Sequence, residues 1–150
     1  MIIKHHMSGF TLLEVLISIV ILSIGLLGMA GLIAMGIKNN HTASYRSHAT
    51  FLADDILDRI RANNVAALAG DYGLTLGGAC KSGVNAIAMA DCAEWKGMVE
   101  DSLPGGTGAV VLGISRDIKI IIQWTSGLDE NQDGTVDAAD VSSFVTTSQL

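Results

Sequence analysis

This chain of 150 residues is short of positive charge. It has nine Lys and Arg against fifteen Asp and Glu, a formal net charge of −6, and no basic cluster. This argues against nucleic acid as a partner, because phosphate backbones are gripped by clustered Lys and Arg. Between Lys4 and Lys38 there is no Lys or Arg at all, and the 23 positions from Val15 to Ile37 carry no charge of either sign. Cysteine is scarce too. The two present, Cys80 and Cys92, form no CxxC pair, and the four histidines lie far from them in sequence, which argues against zinc. No nucleophile, base and orienting group occur in a recognisable arrangement, so no enzyme is expected.

The uncharged run is the dominant feature. At about 1.5 Å of rise per residue it is long enough to cross a bilayer core of roughly 30 Å as a helix. It is longer than the ~7–15-residue apolar core of an ordinary secretory signal. A single carboxylate, Glu14, sits at its N-terminal end. An acidic side chain at the centre of a membrane helix costs roughly 2.5–3.5 kcal/mol, and less near the interface. Glu14 thus calls for a cation. With no Lys or Arg nearby, the remaining source is an α-amino group exposed by cutting the chain just ahead of the helix. Lys4 precedes the run and acid-rich sequence follows it. Residues 1–9 are accordingly read as a cytoplasmic leader and residues 38–150 as translocated.

These residues carry a resemblance. Gly9-Phe10-Thr11-Leu12-Leu13-Glu14, followed by the apolar run, resembles the cleavage and methylation signal of type IV pilins and pseudopilins. The resemblance implies that a prepilin peptidase cuts between Gly9 and Phe10 and N-methylates Phe10. It also implies that Glu14 pairs with the terminal amine of a neighbouring subunit during filament assembly. The alternative is a signal anchor in which the hexapeptide arises by chance.

Beyond Lys38 the pattern turns amphipathic. Tyr45, Ala49, Leu52, Ile56 and Ile60 form the stripe of one helix face, with Asp54, Asp58 and Arg61 off it and Asp55 four residues ahead of Arg59. One helix is expected from about Phe10 to about Val65, its first half (residues 10–37) apolar and its second (38–65) packed on a globular domain. Gly25, Gly28, Gly31 and Gly36 are read either as sites of close helix packing or as glycines tolerated in a membrane helix. Residues 70–90 read as loop with a short strand near Leu74–Leu76. A short helix follows over residues 91–103, capped by Asp91, presenting Trp95, Met98, Val99 and Leu103, and stopped by Pro104-Gly105-Gly106. Strands are expected over residues 109–114 and 117–125, turning at Ser115-Arg116, and more weakly over residues 143–149. Ile118, Ile120, Ile122 and Trp124 share the buried face of the second. The fold class is α+β, an antiparallel sheet on the helix stripe around Leu52 and Ile56. This agrees with the pilin-like fold the resemblance implies. The run from Ile21 to Leu32 and the Trp-bearing helix ending in Leu-Pro-Gly-Gly are similar to minor pilins of the PilV, or type IV pilus modification, family.

In an oxidising compartment Cys80 and Cys92 can close a loop worth roughly 2–4 kcal/mol; the alternative is two separate thiols. His41 and His48, seven apart, read as surface residues. Residues 129–140 spell a twelve-position calcium loop, with oxygen side chains at positions 1, 3, 5, 9 and 12 and glycine at 6. Asp129, Asn131, Asp133 and Asp140 would ligate Ca2+ by side chain, Thr135 by its carbonyl, and Asp137 directly or through water. Asp140 stands where an EF-hand usually has a bidentate Glu. The loop resembles dockerin-type calcium loops, which carry Asp there. The alternative is an acidic solvated turn.

The resemblance implies a minor pilin of a type IV pilus, anchored in the bacterial inner membrane and then carried to the pilus. It further implies roles in pilus assembly, adhesion and twitching motility. Its partners would be the prepilin peptidase, other minor pilins, the major pilin and a tip-associated adhesin. A minor pseudopilin of type II secretion shares the same N-terminus. A membrane-anchored calcium-binding module that never polymerises is a third reading.

Overall fold

The computed structural model describes residues 10–113, 116–125, 127 and 140–150. Three helices precede three strands: α1 (Leu12–Ala62), α2 (Asn64–Leu68), α3 (Ala86–Ser102), β1 (Thr107–Leu112), β2 (Asp117–Thr125) and β3 (Val141–Gln149). The chain divides into two compact units, Met1–His41 and Thr42–Leu150. The fold class is α+β, with a long N-terminal helix and a small antiparallel sheet.

In the first unit the described helix has no buried residue. Its exposed side chains include Leu12, Leu13, Ile21, Leu27 and Leu32. The apolar stretch has a mean hydropathy of 2.6 and fits a membrane span by length and composition. Ser18 and Ser23 donate their hydroxyls to the carbonyls of Glu14 and Ile19, both at 2.7 Å, so neither hydroxyl is left unsatisfied in the apolar run.

The second unit holds the core. Ala49, Leu52, Ala53, Ile56, Leu57 and Ile60 of α1 pack in one cluster with Trp95 and Val99 of α3 and with Ile118, Ile120, Ile122 and Trp124 of β2. The Trp95 indole donates to the Leu52 carbonyl at 2.8 Å, fixing α3 to α1. The sheet order is β1-β2-β3, both pairs antiparallel. Gly108 in β1 lies directly under Trp95, where a Cβ would run into the indole ring.

Several boundaries differ from expectation. α1 ends at Ala62, short of Val65, because Asn63 leaves the helical conformation (φ −115°, ψ 52°). Its side-chain amide donates to the Tyr72 hydroxyl and to Asn85 Oδ1, both at 3.2 Å. α3 begins at Ala86 rather than Asp91. Asn85 caps it, its Oδ1 accepting from the backbone N–H of Ile87 (3.0 Å) and Ala88 (3.2 Å). Asp91 is therefore a mid-helix residue and not the cap. The helix stops where expected, with Leu103 extended and Gly105 at φ 61°. The strand expected near Leu74–Leu76 is a single bridge, Leu74 exchanging two 2.9 Å bonds with Val110. β1 runs over 107–112 instead of 109–114, and β3 starts at Val141 instead of Ser143. Ile114 and Ser115 lie outside the described residues, while Arg116 has a left-handed backbone, φ 64°.

Candidate assembly site

The start of α1 is built by Thr11. The Glu14 backbone N–H donates to Thr11 Oγ1 at 3.2 Å and to the Thr11 carbonyl at 3.1 Å. Thr11 thus caps the helix with Glu14 in its first turn, where the helix dipole favours a carboxylate. The spacing Thr11-x-x-Glu14 is a capping-box pattern, a signal present in the sequence but not used above. Phe10 is 84% exposed. Phe10, Glu14, Val15, Ser18, Ile19 and Leu22 line an open groove of about 370 Å³, with the carboxylate set among apolar side chains. Gly9 lies outside the described residues. Chemically this is an acid presented at the edge of an apolar helix, able to accept an ammonium from another chain.

Among the described residues, nothing packs against the glycines of the apolar half. A Cβ on Gly25, Gly28, Gly31 or Gly36 would meet nothing within 4 Å.

These features agree with comparison to known proteins. Residues 4–30 match the family described as the prokaryotic N-terminal methylation motif. Over that N-terminal stretch the chain is similar to type IV pilins. That motif marks type IV pilins and pseudopilins, a structural class, and implies processing by a prepilin peptidase and assembly with other pilins. Together with the apolar helix it fits inner-membrane anchoring and a pilus location. No curated protein and no solved structure matches this chain.

The second unit presents three other features. Cys80 and Cys92 form a disulfide, their Cα atoms 5.9 Å apart. His48 is exposed on α1, as is His41 at the end of the first unit. Among the described residues no group of His, Cys, Asp or Glu is arranged to hold a metal. Of the expected calcium ligands, Asp129, Asn131, Asp133, Thr135 and Asp137 lie outside the described residues, whereas Asp140 is described and fully buried at the foot of β3.

The expected Asp55–Arg59 pair is part of a larger hub. Arg59 donates Nε–H to Asp55 Oδ2 at 2.9 Å, and Nη1–H to Glu94 Oε2 at 2.8 Å and Asp91 Oδ1 at 3.3 Å. Asp91 Oδ2 also accepts from the Tyr72 hydroxyl at 2.6 Å. Hydrogen bonding to Glu94 holds the guanidinium above its ordinary range, and Arg59 in turn holds the Glu94 carboxyl below its own. Burial, then the bond to Asp91, pushes the Tyr72 phenol up to about 12. Asp91, read as a helix cap, is instead one of the residues that tie α3 to α1, with Glu94 and Trp95. Nothing local in the sequence reveals this, because Asp91 and Glu94 lie 32 and 35 residues from Arg59.

Proposed function

We propose that this chain is a minor pilin of the PilV type. It is made as a prepilin, cut between Gly9 and Phe10, methylated on Phe10, and built into or used to prime a type IV pilus that serves adhesion and twitching motility. The single observation behind this reading is Glu14, placed in the capped first turn of a helix whose apolar first half is wholly exposed. Only other helices or lipid can cover that surface, and only a neighbour's terminal amine supplies the missing cation. The Leu103-Pro104-Gly105-Gly106 stop after a Trp-bearing helix favours the pilus over a secretion pseudopilus, by likeness to PilV-type pilins. The exposed face of α1 in the second unit, with Ser44, Ser47, His48 and Phe51, offers a further surface for packing among subunits. Other minor pilins, the major pilin and a tip-associated adhesin are the partners this role requires.

Mass spectrometry of the native protein should find an N-terminal methylated Phe10. Glu14→Ala should leave processing intact and abolish incorporation into sheared pili. An uncut chain, or normal incorporation of the variant, contradicts the reading. Deleting the gene and scoring surface pili against secreted enzymes separates the pilus from type II secretion.

We further propose that Asp129, Asn131, Asp133, Thr135, Asp137 and Asp140 hold Ca2+ with an affinity of about 10⁻⁴–10⁻³ M, as in exported calcium modules. The support is the ligand pattern and the buried position of Asp140 directly before β3. Millimolar calcium should raise the melting temperature of the exported domain above that measured with a chelator; equal temperatures would remove the site.

A further inference from the structure

Removal of a leader at Gly9 is a hydrolysis. Water adds to the Gly9 carbonyl carbon, the C–N bond to Phe10 breaks, Gly9 leaves as a carboxylate and Phe10 as an ammonium. Inside an α-helix a carbonyl is turned along the axis and held by the N–H four residues on, which closes it to an enzyme. The bond to be cut must therefore lie outside the helix. The sequence that follows pushes the other way. Leu12 and Leu13 are good helix formers, and an apolar segment in lipid satisfies its backbone groups by remaining helical. Something has to stop the helix short of Phe10.

The stop is at Thr11. α1 begins at Leu12, with Phe10 and Thr11 outside it. The Glu14 N–H donates to Thr11 Oγ1 at 3.2 Å and to the Thr11 carbonyl at 3.1 Å, and the Val15 N–H reaches the same carbonyl at 3.3 Å. A helix continued backwards would send the Glu14 N–H to the Phe10 carbonyl instead. Thr11 takes that donor, and its β-branched side chain is itself a weaker helix former than its leucine neighbours. Phe10 and Thr11 are both exposed, so an enzyme can reach the stretch from outside the chain.

We infer that Thr11 is a positioning residue for leader removal: its hydroxyl halts α1 at Leu12 and so presents the Gly9–Phe10 bond to the peptidase in non-helical backbone. Thr11 takes no part in the bond changes and acts through the backbone of Glu14. The inference rests on the prepilin reading given above. An N-cap of this kind shifts the population of a helix start by roughly two- to thirtyfold. Without the hydroxyl, fewer chains hold the bond open at any moment. The peptidase then binds more weakly by that fraction, while a chain once bound is cut at the same rate.

The test times cleavage of the full-length chain by a purified prepilin peptidase in detergent micelles. Thr11→Val keeps the side-chain shape and drops the oxygen, so kcat/KM should fall about fivefold, with the loss in KM. Thr11→Ser should restore it. The Cα chemical shift of Phe10, read by NMR on the same uncut chains, should turn helical in Thr11→Val and return in Thr11→Ser. Full-rate cleavage of Thr11→Val overturns the proposal, as does a loss in kcat or one that Thr11→Ser does not repair. Slow cleavage with Phe10 still non-helical also overturns it, since the enzyme would then be reading the Thr11 side chain directly. If the unaltered chain is left uncut, the prepilin reading falls and this role with it. If the unaltered chain and Thr11→Val are cut alike, only the role of Thr11 falls.

Discussion

The two tryptophans show how much a single polar atom decides. Trp95 and Trp124 are both fully buried in the same cluster. Trp95 donates to the Leu52 carbonyl, while the Trp124 indole N–H is buried with no hydrogen-bond partner among the described residues. Replacing either with Phe removes similar volume, but at position 95 it also removes a made hydrogen bond, and at position 124 it removes an unmade one. Trp95→Phe should therefore destabilise the domain by about 1 kcal/mol more than Trp124→Phe, measured by denaturant unfolding. Equal losses would mean that packing alone sets the cost. Arg59 makes the same point for charge. Its pair with Asp55 was visible from the i, i+4 spacing, but the hub depends on Asp91 and Glu94 on another helix.

Among the elements, β2 was the most legible. Strict alternation of Ile118, Ile120, Ile122 and Trp124 delimits a half-buried strand without outside help. α3 was legible only in its second half. The run Ala86-Ile87-Ala88-Met89-Ala90 falls within residues 70–90, which read as loop, although alanine is the best helix former and Asn85 a good cap. β1 starts two residues before the expected Ala109 and takes in Gly108. Here Gly108 is required, since the Trp95 ring occupies the space of its Cβ. Gly108→Ala should cost about 1–3 kcal/mol by overpacking. In contrast, Gly28→Ala, with nothing within 4 Å, should leave the stability of the second unit unchanged. A tolerated Gly108→Ala in chemical denaturation would show that α3 can shift away from β1.

At the scale of the whole molecule, every buried hydrophobic residue described lies at or beyond Ala49. The second unit therefore owns its core, and the described part of the first is an apolar helix with no buried residue. A chain starting at Thr42 should melt cooperatively and need no detergent, by circular dichroism and gel filtration. Loss of the cooperative transition would show that the apolar half supports the domain.

Local patterns were enough, by themselves, to establish the apolar span, the Phe10–Glu14 signal, the α1 stripe, the main strand and the α+β class. Each is written in neighbouring residues, through charge, periodicity or spacing, and needs no distant contact. Tertiary structure alone decided that Asp91 binds Arg59, that Asn63 breaks α1 and that Gly108 admits Trp95. Those outcomes are set by groups that meet across the fold, where hydrogen-bond partners and excluded volume come from residues far apart in the chain.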